Sequence, residues 1–526
     1  MTRTTTRTRT RLRIGAAVAV LTAAAAALSA CSAGSKVSAE TGGGGAGSGA
    51  TNAQTLNWEW QLPTSWDPVT SSAGWDVHVL SLVYSSITAL DAKGNAIPGL
   101  ASSWKYSSDG KTIAFTLRPN LKFSDGTPLD AAAVKTNILR GRDYSKSLIA
   151  SQLAVVSSVD VIDPTHFTLH LSQPDYQIPN LLAGKTGMIV SPTAIKNDQA
   201  GLATKPVGDG PFTLTQYVPD SHANLVRNPG YYDASEIHLT NFTVQSITDP
   251  QQIINALKTG QVNVASIPGN LASSAKAAGF DIDAIPAMTV NTLDVKTTVA
   301  PFNNPKVVEA LNYGIDRAAL VKTQEFGYGT PSFQPFPKGY IGYVPKLANL
   351  YPYSPTKAKQ LLQQAGYTKP LPITLTVDQK QSMGEQIQAE LDDAGFKVTL
   401  NPISMDQATN IMYLQKSVPL ALDSTAGRES PLQMLDVLYD KQGLMNLTGQ
   451  ENPKTAQAFE KLQTVPLDSP GYQSTLQAAV TDAATDLSAP HIWLYSYPRL
   501  LAVSPKVKNL PQDFVTQRFE NVTVQG

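Results

Sequence analysis

Phe123-Ser124-Asp125-Gly126-Thr127-Pro128-Leu129-Asp130 packs a turn and a helix start into eight consecutive positions. Asp-Gly supplies the acceptor and the backbone freedom of a tight turn. Asp130 then stands where an N-cap belongs, ahead of a helix over Ala131 to Arg140. Upstream lies a dense patch of short strands. Trp104-Lys105-Tyr106 runs into the turn Ser108-Asp109-Gly110, and Thr112-Ile113-Ala114-Phe115-Thr116-Leu117-Arg118 alternates apolar and polar, which predicts a hairpin. Downstream, Val155 to Val161 and His166 to Leu171 form a second strand pair around Asp163-Pro164-Thr165.

Further out, Leu56-Asn57-Trp58-Glu59-Trp60 alternates as a first strand. Apolar positions from Val77 to Leu90 fit a helix face, closed by the turn Asp91-Ala92-Lys93-Gly94-Asn95. Pro206-Val207-Gly208-Asp209-Gly210-Pro211 punctuates strongly before a strand over Phe212 to Tyr217. Beyond residue 250 helix and strand alternate. Helices are expected over Gln251–Thr259, Pro305–Asn312, Arg317–Phe326, Ser354–Ala365 and Glu385–Ala394, with strands over Ile373–Val377 and Phe396–Leu400. That texture predicts a mixed or parallel sheet covered by helices. Ile492 to Val503 reads as strand and loop, and no internal repeat is seen.

The start of the chain has a different character. Arg3, Arg7, Arg9, Arg11 and Arg13 precede an apolar run that ends at Leu28-Ser29-Ala30-Cys31, and no acid occurs before Glu40. A basic start, an apolar middle and a small-residue end make a secretory signal over residues 1–30. The run Ile14 to Ala30 is short for a membrane span. Leu-Ser-Ala-Cys resembles the bacterial lipobox, which implies lipidation of Cys31. Residues 31–54 are rich in Gly and Ser and read as a flexible tether. Five of the 41 basic residues and none of the 41 acidic ones fall in the signal, which leaves 36 against 41, a formal charge of −5. Such a surface gives no electrostatic case for nucleic acid. Cys31 is the only cysteine, so no disulfide framework exists.

Four segments together resemble the family 5 extracellular solute-binding proteins of ATP-binding-cassette importers, the oligopeptide, dipeptide and nickel-binding group. They are Pro98-Gly99-Leu100-Ala101-Ser102-Ser103-Trp104 with Asp109-Gly110 and Phe115-Thr116-Leu117-Arg118; Phe123-Ser124-Asp125-Gly126-Thr127-Pro128; Pro206 to Phe212 followed by Asn228-Pro229; and Asn312-Tyr313-Gly314-Ile315-Asp316-Arg317 with Ala358 to Leu362 and Ala365-Gly366-Tyr367. The resemblance runs from about residue 55 to the end. It implies an α/β, two-lobed periplasmic-binding-protein-like fold of class II type, with an extra α+β domain inserted in the first lobe. Lobe I is expected over residues 52–90, 206–295 and 491–526, the extra domain over 91–205, and lobe II over 296–490. It also implies a monomer on the outer face of the cell membrane, held by lipid and partnered by a permease and its ATPase subunits, carrying a small solute or peptide without chemistry.

Family ligands lie between the segment after the first strand and a late loop of lobe II. Here these carry Ser71, Ser72, Ala73 and Trp75, and Asp423, Ser424, Thr425 and Arg428. Oligopeptide binders place an aspartate for the peptide ammonium in the late loop. This chain departs from them, with Glu429-Ser430-Pro431 where many relatives have Asp-Pro, and Asp423 is the nearest acid upstream. Arg428 offers a bidentate fork to a carboxylate instead; the alternative for both charges is a solvated loop. Trp75 and Tyr495 are candidate pocket aromatics, with core packing as the alternative. The six histidines show no metal spacing: His166 and His170 are four apart but in a strand. No metal site or cofactor is expected. No Gly-x-Ser-x-Gly elbow occurs, and Gly184-Lys185-Thr186 lacks its phosphate-loop glycine because position 179 is proline. A secreted hydrolase, an adhesin, or a receptor for a nickel chelate or oligosaccharide remain the rival readings.

Overall fold

Period-two burial organises the first sheet. Leu56 and Trp58 are buried in the strand Thr55–Glu59, while Thr55 and Asn57 are half-covered. In this computed structural model, which describes residues 54–378, 380–425, 427–488, 490–511 and 518–525, that strand lies inside a seven-stranded sheet. It pairs in parallel with Asn241–Gln245 on one side and Val264–Ser266 on the other. His222–Arg227 and Phe212–Val218 extend the first side, and Arg499–Val503 and Asp281–Ile285 the second. Cys31, its leader and the tether up to residue 53 lie outside the described residues.

A six-stranded sheet forms the second body. Its order is Thr330–Pro331, His491–Ser496, Val290–Val295, Leu420–Ser424, Leu371–Val377, Phe396–Pro402. Leu371–Val377 and Phe396–Pro402 are parallel, with the helix Gln381–Asp393 as the crossover between them. The expected α/β texture is therefore present here. The same sheet also takes Val290–Val295 and His491–Ser496, two segments that the lobe boundaries implied by the family resemblance put in lobe I.

The opening eight residues behave as turn and cap. Gly126 adopts φ 81°, where an L side chain is strained. Asp125 accepts from the Thr127 amide at 2.9 Å, and Asp130 caps the helix Ala131–Asp143 by accepting from the Ala133 amide at 2.9 Å. That helix packs on a four-stranded antiparallel sheet of order Ala101–Tyr106, Thr112–Leu117, His166–Leu171, Val156–Asp163. Its core holds Ile113, Phe115, Phe167 and Leu169 with Val134 and Ile138. Gly210 serves close approach: a Cβ there would lie 2.5 Å from the Val83 backbone carbon.

One expected helix is mostly absent. Only Val77–Leu80 is helical, and Thr88–Leu90 is a strand. The Ser85 amide instead bonds Asp209 Oδ1 at 3.1 Å and the Ile87 amide bonds the Gly187 carbonyl at 2.9 Å. Tertiary partners thus override a periodic apolar pattern.

The segment between the first strand and Val77 is anchored by a buried ion pair. Asp67 and Arg140 are 2% and 9% exposed, and Arg140 Nη1 donates to Asp67 Oδ1 at 3.1 Å. The same oxygen accepts from the Val69 amide at 3.1 Å. Breaking a buried pair from one side leaves an uncompensated charge. Asp67→Asn should therefore lower unfolding free energy by about 3 kcal/mol or more in urea titrations; an unchanged midpoint would contradict this role.

Candidate functional site

Two short connectors join the seven- and six-stranded sheets. Residues 286–289 lead from Asp281–Ile285 into Val290–Val295, and residues 497–498 lead from His491–Ser496 back to Arg499–Val503. They touch each other: the Tyr497 amide donates to the Thr289 carbonyl at 3.3 Å. Above them opens a cleft of about 400 Å³. The first body contributes Trp60, Trp75, His78 and Arg499, the second contributes Glu325 and Glu429, and the connectors contribute Met288 and Tyr497.

Its charged groups are held individually. Arg499 Nη1 lies 3.0 Å from His78 Nε2, and the guanidinium sits 5.2 Å from the Trp60 ring centroid. Burial and the Arg499 charge hold His78 well below its usual range, so its neutral ring accepts from Arg499. Burial raises Glu325, against the hydrogen bond it accepts from the Tyr495 hydroxyl at 2.9 Å. Burial also raises Glu429, opposed by nearby Arg428 and Lys185. Beneath the cleft, Glu59 Oε2 accepts from the Ser266 amide at 3.0 Å, and burial pushes that carboxyl up to about 7.

A larger chamber of about 880 Å³ adjoins the cleft, sharing Gly74, Gly427 and Glu429 with it. Ser71, Ser72 and Arg428 line this chamber, and Trp75, 46% exposed, lines the cleft. Ser71 Oγ donates to Asp76 at 2.6 Å, and the carbonyls of Ser71 and Ala73 accept from Lys185 Nζ at 2.9 and 3.1 Å. Arg428 Nη1 donates to the Gly427 carbonyl at 3.2 Å. The two sequence-selected segments therefore do face each other.

Four other candidates sit elsewhere. Asp423 is buried in the six-stranded sheet and accepts from the Tyr413 hydroxyl at 2.9 and 2.8 Å. Ser424 Oγ accepts from Lys380 Nζ at 3.2 Å. Thr425 Oγ1 accepts from the Val290 amide at 3.0 Å and staples the late loop to a connector. Tyr495 is fully buried in the core beside the cleft, and Tyr497 occupies the lining position instead. Both belong to one aromatic run, but Tyr495 lies inside the strand His491–Ser496 and Tyr497 just past its end, in the connector. Sequence reasoning also missed Trp60, His78, Glu325 and Arg499. The available signals were the aromatic cluster that includes Trp60 and a histidine inside the apolar run after Val77.

This geometry defines a ligand-binding protein, with a cleft between two α/β bodies joined by paired connectors. The chain belongs to the bacterial extracellular solute-binding proteins, family 5, whose model matches residues 95–445. It is homologous to the peptide- and nickel-binding proteins of ATP-binding-cassette importers, which bind and deliver without catalysis. The glutathione-binding protein GsiB of Salmonella paratyphi A is 31% identical over 351 residues, spanning 65% of this chain and 68% of that protein. The periplasmic binding protein DppA of Helicobacter pylori, solved with the peptide STSA, matches at TM-score 0.77 and 22% identity, covering 90% of this chain and 98% of its own. CtaP of Listeria monocytogenes matches at TM-score 0.79 and 19% identity, covering 90% and 100%. These structures share the multi-sheet periplasmic-binding-protein-like fold.

Glu59 gives the site floor a pH signature. Its folded-state value, about 7, lies above the unfolded carboxylate range. The folded protein therefore holds the extra proton, and stability falls as pH rises from about 5 through 7. Glu59→Gln should flatten that fall by up to about 3 kcal/mol, read from urea midpoints between pH 5 and 8. Parallel curves for the two proteins would contradict it.

Proposed function

We propose that this chain is the lipid-anchored, extracytoplasmic binding component of an ATP-binding-cassette importer, closing two lobes over a short peptide for delivery to the permease. The observation that carries the reading is the cleft's layout. Arg499 lies on the first body, Glu325 and Glu429 on the second, with Trp60, Trp75, Met288 and Tyr497 between them. A free peptide offers the complementary set: a carboxylate, an ammonium and an apolar span. The glutathione-binding relatives support a short peptide over a larger solute.

In this reading the seven-stranded sheet is the core of lobe I and the six-stranded sheet that of lobe II, in a class II arrangement. The four-stranded sheet with its helix is the extra domain. Strand pairing supports lobe boundaries at the connectors, residues 286–289 and 497–498. Closure about paired connectors is a hinge motion that buries ligand. The chain works as a monomer. Cys31 supplies the anchor, and no helix among the described residues is long and apolar enough to cross a membrane.

Thermal-shift and calorimetric titration with dipeptides, tripeptides and glutathione tests the cargo. Binding of at least one is expected, and no response to any would overturn the peptide reading. For a peptide that binds, Arg499→Gln should weaken affinity about 10- to 100-fold, and C-terminal amidation should weaken the parent protein similarly but the variant little. In cells, Cys31→Ser should move the protein from the membrane fraction to the soluble one and remove the acyl mass; persistence at the membrane would argue for another anchor.

A further inference from the structure

The larger chamber is more than an extension of the cleft. It meets the cleft at a neck lined by Gly74, Gly427 and Glu429, and another part of its wall is acidic. Asp436 and Asp440 stand four residues apart at the end of the helix Pro431–Tyr439, which sets both on one face. Asp175 comes from the opposite wall, buried at 6% exposure. None of the three is in an ion pair among the described residues. The Asp436 carboxylate accepts no hydrogen bond among them either, whereas Asp175 Oδ1 takes the Gln177 amide at 2.8 Å and Asp440 Oδ1 the Gln442 amide at 2.7 Å.

A second observation comes from a neutral group. Gln177 lines the chamber and is 2% exposed. Its Oε1 accepts from Ser430 Oγ at 2.8 Å and the Tyr472 hydroxyl at 3.1 Å. Its Nε2 is buried with no hydrogen-bond partner among the described residues. An unsatisfied buried donor is costly and calls for an acceptor.

The cations near the chamber are already engaged. Lys185 donates to the Ser71 and Ala73 carbonyls, and Arg428 to the Gly427 carbonyl, both at the neck. Lys416 lies near Asp440 but donates to the Gly443 carbonyl at 2.8 Å. The Asp436 side chain is open to the chamber, and the crowding wall with the like charges of Asp440, Asp175 and Glu451 raises its carboxyl to about 7.

Resting on the peptide reading above, we propose that this chamber is a subsite for a cationic side chain of the cargo. The ammonium or guanidinium sits against Asp436 and Asp440, and a peptide carbonyl beside it accepts from Gln177 Nε2. The C-terminal end of the helix Pro431–Tyr439 adds its own partial negative charge to the same place.

The test is calorimetric titration of the full mature protein with Ala-Ala-Ala, the three tripeptides carrying one lysine, and their norleucine counterparts. At least one lysine peptide should bind about tenfold or more tightly than its norleucine twin. The variant carrying both Asp436→Asn and Asp440→Asn should bring that ratio close to one while leaving Ala-Ala-Ala affinity unchanged, which also shows that it is folded. Equal binding of lysine and norleucine peptides overturns the subsite and leaves the peptide reading standing. A ratio that survives the double substitution also overturns it. Failure of every peptide to bind overturns both.

Discussion

The hydrogen bond from the Tyr497 amide to the Thr289 carbonyl joins the two places where the chain passes between its sheets. Everything at the cleft is measured from that contact. Arg499 follows one connector by a single residue, and Met288 lies within the other. The late loop is tied to the same place, because Thr425 exchanges bonds with Val290 through its amide at 2.9 Å and its hydroxyl at 3.0 Å. Gly427 and Glu429 therefore emerge opposite Gly74 by short covalent reach from a fixed point. Two short, mutually bonded connectors permit rotation about one line far more readily than independent drift of two bodies.

Buried polar groups then aim the second body's helix at the chamber. His491 Nδ1 lies 2.7 Å from Asp294, and its Nε2 lies 2.9 Å from the Leu438 carbonyl. Burial opposes a charge on this ring, but Asp294 and the carbonyl outweigh it and hold the pKa above its usual value. A protonated ring donating in both directions pins the last turn of Pro431–Tyr439 to the six-stranded sheet, which sets the direction in which Asp436 and Asp440 face. On the other side, Asn180 Nδ2 donates to the Glu429 carbonyl at 3.1 Å, so the four-stranded unit braces the same loop. Charge placement in the cleft and chamber thus depends on neutral and paired groups that line neither space.

Legibility followed the range of the interactions. The helices over 250–259, 305–314 and 355–364 were readable because cap and periodic face are local, as with Asp249 accepting from the Gln251 amide at 2.8 Å. The helix Pro431–Tyr439 also carries a local signal, an N-cap at Ser430 followed by proline at the first helical position, although it was not among the expected helices. The segment after Val77 misled for the opposite reason. Its apolar spacing is real, but long-range bonds to Gly187 and Asp209 draw its backbone away from a helix.

By itself the sequence determined many of the element types and the secretory pattern around Cys31. These rest on periodicity, turn chemistry and residue order, all local in the chain. Only the tertiary structure decided that Asp423 and Tyr495 turn inward while Glu429 and Tyr497 line the cleft. Asp423 and Tyr495 lie inside strands of the six-stranded sheet, whereas Glu429 and Tyr497 lie past the ends of those strands, and where a strand stops is set by pairing with chain segments distant in sequence.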